Sequence, residues 1–87
     1  MEKEIVIKNK FGLHARTALK LIEKIKDSPC QITIQKDNKQ ANAKSMLSII
    51  SLGASQGSKV KITVNGRDAE ETMAKVIDII NHLEDDE

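Results

Sequence analysis

Apolar residues along this 87-residue chain switch repeatedly between a spacing of two and a spacing of three to four. Each switch marks a change between strand and helix. Ile5 and Ile7 alternate with Val6 and Lys8, which predicts a strand over roughly 3–8. After a loop at Asn9–Gly12, residues Ala15, Ala18, Leu19, Ile22 and Ile25 repeat at helical intervals, with Lys20, Glu23, Lys24 and Lys26 opposite them. Asp27-Ser28-Pro29 ends that helix. Ile32 and Ile34 alternate in a second strand, Asp37-Asn38-Lys39 reads as a hairpin turn, and Gln40–Ala43 as a short edge strand. Ser45 is placed to cap a short helix that stops at Gly53. Val60, Ile62 and Val64 form a fourth strand, and Asp68 with Glu71 suggests a capping box for a last helix. That helix would bury Ala69, Met73, Val76, Ile77, Ile80 and Leu83. The order is β-α-β-β-α-β-α. Every strand has one apolar face, which predicts an α+β fold: a four-stranded antiparallel sheet with three helices on one side and water on the other.

The length predicts one domain spanning 1–87. Its core must be aliphatic, because twelve residues are Ile and Phe11 is the only aromatic. One aromatic ring makes no base-stacking platform, and 14 basic against 13 acidic residues make no nucleic-acid footprint, so nucleic acid is excluded as a partner. The single Cys30 forms no internal disulfide and is expected as a small buried hydrophobe. No Cys/His cluster has metal-ligand spacing, so no metal and no cofactor is expected. Met1-Glu2-Lys3-Glu4 does not resemble a signal peptide, and no apolar run approaches the roughly 20 residues of a membrane span. The expected location is the cytoplasm, without membrane insertion. The acidic run Glu84–Glu87 is expected to fray, and without its four acids a net charge of +1 becomes +5, which favours acidic partners.

His14 is the residue with the most chemistry. It stands where the loop becomes the first helix, beside the backbone N–H groups of Ala15, Arg16 and Thr17. Unpaired amides and the helix dipole make such a start a site for an anion, and the same field disfavours imidazolium. A neutral imidazole is a nucleophile, and phosphoryl transfer needs one together with groups that hold the phosphoryl oxygens. The Arg16 guanidinium and the helix-start amides suit that task, and Gly12 lets a partner approach the backbone. Position alone equally allows a non-catalytic regulatory or ligand-binding module in which His14 is only a helix cap.

Gly12-Leu13-His14-Ala15-Arg16, followed by Ala18, resembles the active-site signature of HPr, the histidine-containing phosphocarrier family of the bacterial phosphotransferase system. Asn42-Ala43-Lys44-Ser45-Met46-Leu47 and Ser51-Leu52-Gly53-Ala54 resemble that family's regulatory-serine segment, at the right distance along the chain. Asn9–His14, Leu19-Lys20-Leu21 and the acidic tail are also similar to NPr, the nitrogen-branch paralogue. The resemblance implies an open-faced β-sandwich with sheet order 1-4-2-3. It implies a monomeric carrier, itself no enzyme, that takes a phosphoryl group on His14 from enzyme I and passes it to IIA-type acceptors. Arg16 would neutralise phosphoryl charge, and Ser45 would be phosphorylated by an HPr kinase/phosphorylase. Thr17 departs from the family, which usually has Pro there. It adds an N–H and a hydroxyl, so either the anion site gains a donor or the changed helix start shifts the His14 rotamer.

Met46, Leu47 and Ile50 lie on a helix too short to bury every side, so some of them face water as a docking surface, while Ile49 and Leu52 belong to the core. Phe11 either joins that surface or anchors the loop over the core, and Lys20 and Lys44 would flank it. His82, in the last helical turn, suits the helix dipole and receives no chemical role.

Overall fold

The computed structural model describes residues 1–83. The acidic run at 84–87 lies outside the described residues. The elements are β1 (Glu2–Val6), α1 (Ala15–Ile25), β2 (Gln31–Lys36), β3 (Lys39–Asn42), α2 (Met46–Ser51), β4 (Lys59–Asn65) and α3 (Ala69–Asn81). The four strands form one antiparallel sheet in the order β1-β4-β2-β3. Register explains the layering. Ile34 is opposite Ile62 and Ile32 opposite Val64, so the apolar residues of neighbouring strands point the same way and meet the helices. Thr33 pairs with Thr63 and Glu4 with Lys61 on the other face, which carries polar side chains. The core is aliphatic as expected: seven isoleucines, Leu21 and Val76 are among its fully or nearly fully buried members, and Cys30 is buried with them.

β1 is shorter than its alternation suggested. Ile7 leaves the β1–β4 ladder, but its N–H donates to Ser58 O (2.8 Å) and its carbonyl accepts from Gly57 N–H (2.8 Å). Lys39 belongs to β3 rather than to the turn, which is closed by Asp37 at φ +54° and Asn38. Gly53 ends α2 at φ +65°, as its position predicted.

Two expectations fail. The spacing places Ala15 and Leu19 in the inner stripe of α1, but both are exposed, Leu19 by 47%, while Leu21, outside that stripe, is 0% exposed. The helix carries apolar residues around much of its circumference. Packing selects the stripe Ala18, Leu21 and Ile25, in line with a Thr17 side chain that turns inward beneath the preceding loop. The capping box at α3 is also absent. Asp68 adopts φ +61°, ψ +35°, and its side chain makes no cap hydrogen bond. Here the turn out of β4 takes a left-handed residue at this point, and the helix start is instead favoured by Glu70 and Glu71 in its first turn.

Candidate phosphoryl-acceptor site

The site is built where the loop after β1 enters α1. Gly12 has φ +64°, and its α-carbon lies against the chain after α2: a Cβ placed there would sit on Ala54 O and 2.6 Å from Ser55 Cα. Leu13 N–H donates to Ala54 O (3.0 Å), which fastens the loop to that segment. His14 follows as the N-cap of α1 with extended backbone, φ −108° and ψ −173°. Its Nδ1 accepts the N–H of Arg16 at 3.2 Å. An acceptor nitrogen carries a lone pair, so in the neutral imidazole the proton sits on Nε2.

The neighbours hold this arrangement. Thr17, fully buried, accepts the His14 backbone N–H on Oγ1 at 3.1 Å, which completes a capping box with the His14 ring. The Thr17 hydroxyl donates to Gly12 O at 2.8 Å, and Asn9 Nδ2 donates to the same carbonyl at 2.7 Å. Phe11 stands edge-on to the imidazole, with ring centroids 5.8 Å apart and planes at 72°. Lys10 Nζ lies 5.5 Å above the Phe11 ring. Phe11 is 53% exposed, so it is a surface residue beside His14 and not an anchor over the core. Arg16 is exposed at the second helical position, and Ala15 at the first.

The Arg16 N–H is bonded to Nδ1 of His14, so it can meet an anion only when that bond is given up. The Thr17 hydroxyl is not an added anion donor, because it is buried and engaged with the loop.

Ser45 caps α2, with Oγ accepting from Ser48 N–H at 3.4 Å. Leu47 is 78% exposed, and Met46, Ile50 and Leu19 are exposed too. Ile49 and Leu52 are buried, as expected. Lys20 Nζ donates to Leu83 O at 3.2 Å, so it ties α1 to the end of α3, and Lys44 Nζ donates to Ser28 O. Both lysines are therefore engaged within the molecule. Sequence reasoning missed Asn9 and Leu19. Asn9 stands three residues before Gly12 in a tight turn (Gly12 N–H to Asn9 O, 3.2 Å), a spacing that sequence does carry; the outward direction of Leu19 has no such sign. Among the described residues no group of three His, Cys, Asp or Glu side chains is placed to hold a metal, and no helix is long and apolar enough to cross a membrane.

The family model described as the PTS HPr component phosphorylation site matches residues 1–82. The chain belongs to the HPr family. It is 30% identical over 82 residues to the phosphocarrier protein HPr of Xylella fastidiosa (strain 9a5c), covering 94% of this chain and 92% of that one. It is 35% identical over 80 residues to the HPr-like protein Crh of Halalkalibacterium halodurans, covering 92% and 95%. Among solved structures, HPr from Thermoanaerobacter tengcongensis superposes with a TM-score of 0.90 at 44% identity, covering 100% of this chain and 98% of that one. The fold and the phosphocarrier family implied by the two sequence motifs are therefore those of this chain, and HPr proteins serve the phosphotransferase system as phosphocarriers.

Proposed function

We propose that this HPr-family chain accepts a phosphoryl group on Nδ1 of His14 from phosphorylated enzyme I, charged by phosphoenolpyruvate, and passes it to IIA-type domains in the cytoplasm. The observation that carries the reading is the Nδ1 lone pair held at the start of α1 by the Arg16 amide. In the forward step this lone pair forms the N–P bond, and the donor's bond to phosphorus breaks with its electron pair leaving on the donor. The Arg16 N–H, released from Nδ1, can then donate to a phosphoryl oxygen, with the Arg16 guanidinium and the amides of Ala15 and Thr17 as further candidates. The proton on Nε2 stays on the ring or passes to water. The chain is thus a substrate of other phosphotransferases, and it acts as a monomer.

The cap-only reading rests on the same hydrogen bond, since a histidine that caps a helix need do nothing else. One experiment separates the two. The protein is incubated with enzyme I and phosphoenolpyruvate and its intact mass is read. The carrier reading expects a gain of one phosphoryl group that is acid-labile and base-stable; no gain leaves His14 a cap.

The exposed apolar side chains Phe11, Met46, Leu47 and Ile50 would dock the partners, with Lys20 and Lys44 beside them. Ser45 would be the target of an HPr kinase/phosphorylase. Phosphate there would carry nearly two negative charges into that face. Ser45→Asp should therefore raise the KM for enzyme I severalfold and leave Tm nearly unchanged, because Asp also caps. Ser45→Ala should transfer normally but lose up to about 1 kcal/mol of stability with the cap. Transfer kinetics and melting curves on the two variants check both; equal KM for Ser45→Asp and the parent would make Ser45 a cap alone.

A further inference from the structure

We infer that the Thr17 hydroxyl is a positioning residue for the phosphoacceptor: it sets the His14 backbone, and through it the direction of Nδ1. The inference rests on the proposal that His14 is that acceptor. The hydroxyl has one proton and two acceptable neighbours, Gly12 O at 2.8 Å and His14 O at 3.2 Å. The shorter contact takes it. That leaves the oxygen's lone pairs for the His14 N–H at 3.1 Å. The result is a directed relay from the His14 N–H, through the Thr17 hydroxyl, to the Gly12 carbonyl, in which each bond polarises the next.

The setting makes the relay rigid. Thr17 is 0% exposed, so water does not compete for its hydroxyl. Asn9 Nδ2 takes the other lone pair of Gly12 O, at 2.7 Å. Asn9 Oδ1 is itself buried and finds no partner among the described residues. An unpaired buried carbonyl is costly, so the amide is kept in place at some expense for the sake of that one turn. The Gly12 carbonyl is thus fixed from two sides, and the His14 backbone hangs from it by the Thr17 oxygen. The imidazole has only two side-chain torsions, so a backbone fixed at this point, with Phe11 against the ring and Arg16 N–H on Nδ1, leaves the ring little choice of direction. A displacement near one ångström at a reacting atom is enough to slow transfer strongly.

Thr17→Val keeps the shape and removes the relay; Thr17→Ser keeps the hydroxyl and removes the methyl. We expect Thr17→Val to lower kcat for phosphoryl transfer from enzyme I about tenfold with KM unchanged, and Thr17→Ser to stay within about twofold of the parent. The His14 ring nitrogens should shift in the NMR spectrum of Thr17→Val and not in that of Thr17→Ser. A second measurement needs no variant: in the parent protein the His14 amide should exchange slowly with solvent. The inference is overturned by a Thr17→Val that transfers like the parent, by a Thr17→Ser as slow as Thr17→Val, or by a rapidly exchanging His14 amide. If the parent takes no phosphoryl group at all, the carrier proposal fails, and the amide exchange and ring shifts still decide whether Thr17 positions His14.

Discussion

His14→Asn is expected to abolish phosphorylation by enzyme I and phosphoenolpyruvate completely while leaving the protein as stable as the parent, or slightly more so. The two effects separate because His14 does two things with one nitrogen. As a cap, Nδ1 accepts the Arg16 N–H, and an asparagine oxygen does this at least as well, since Asn is among the best N-cap residues. As a phosphoacceptor it supplies a nucleophilic lone pair, which an amide side chain does not offer. His14→Ala loses both, at a cost of about 1 kcal/mol in stability. Intact mass after incubation and melting curves on the two variants test this. A phosphoryl group still present on His14→Asn would move the acceptor elsewhere, and His82→Ala, which alters a side chain bonded to Asp78 O at the far end of α3, should be phosphorylated like the parent.

Gly12→Ala should be the most damaging change in the loop. It meets two separate obstacles. A non-glycine residue held near φ +64° costs roughly 1–2 kcal/mol. Its Cβ would also overlap the backbone at Ala54 and Ser55, which cannot step aside as a side-chain tip can, and overpacking of this kind costs roughly 1–3 kcal/mol more. For a small domain the sum is a drop in Tm of about 10 °C or more. Gly53→Ala provides the internal control. Gly53 has nearly the same φ, +65°, but nothing lies within 4 Å of an added Cβ. It should show the backbone cost alone, and the difference between the two variants measures the steric overlap. Equal losses for both would mean that the loop moves freely away from Ala54. Because the same contact fastens the residue before His14, Gly12→Ala should also transfer phosphoryl more slowly at temperatures where it is still folded.

The layered fold was legible because it rests on signals that local chemistry dictates. Alternation at Ile32/Ile34 and Val60/Ile62/Val64 admits one buried face per strand, and Asp37, Gly53 and Pro29 punctuate the chain where the backbone needs them. What was not legible depended on rotation and on partners distant in sequence. Leu19 and Leu21 are equally apolar; only the packing of α1 against the sheet tells them apart. Asp68 has the spacing of a capping box, but a left-handed backbone at that residue turns its side chain away. At the site, His14 was recognisable from its place at a helix start, whereas the task of Thr17 stayed open between a donor for the anion and an influence on the His14 rotamer. A hydroxyl three residues into a helix looks like a free donor until the Gly12 carbonyl is found beneath it.

The single phenyl ring has a practical consequence. With no Trp or Tyr in the chain, Phe11 contributes the only phenyl proton signals, and that ring stands 5.8 Å from the His14 imidazole. Its resonances are therefore free of overlap with any other phenyl or phenol ring and sit within the magnetic field of the neighbouring ring. The chain carries its own spectroscopic reporter at the proposed acceptor, so binding and turnover there can be followed on unmodified protein in real time.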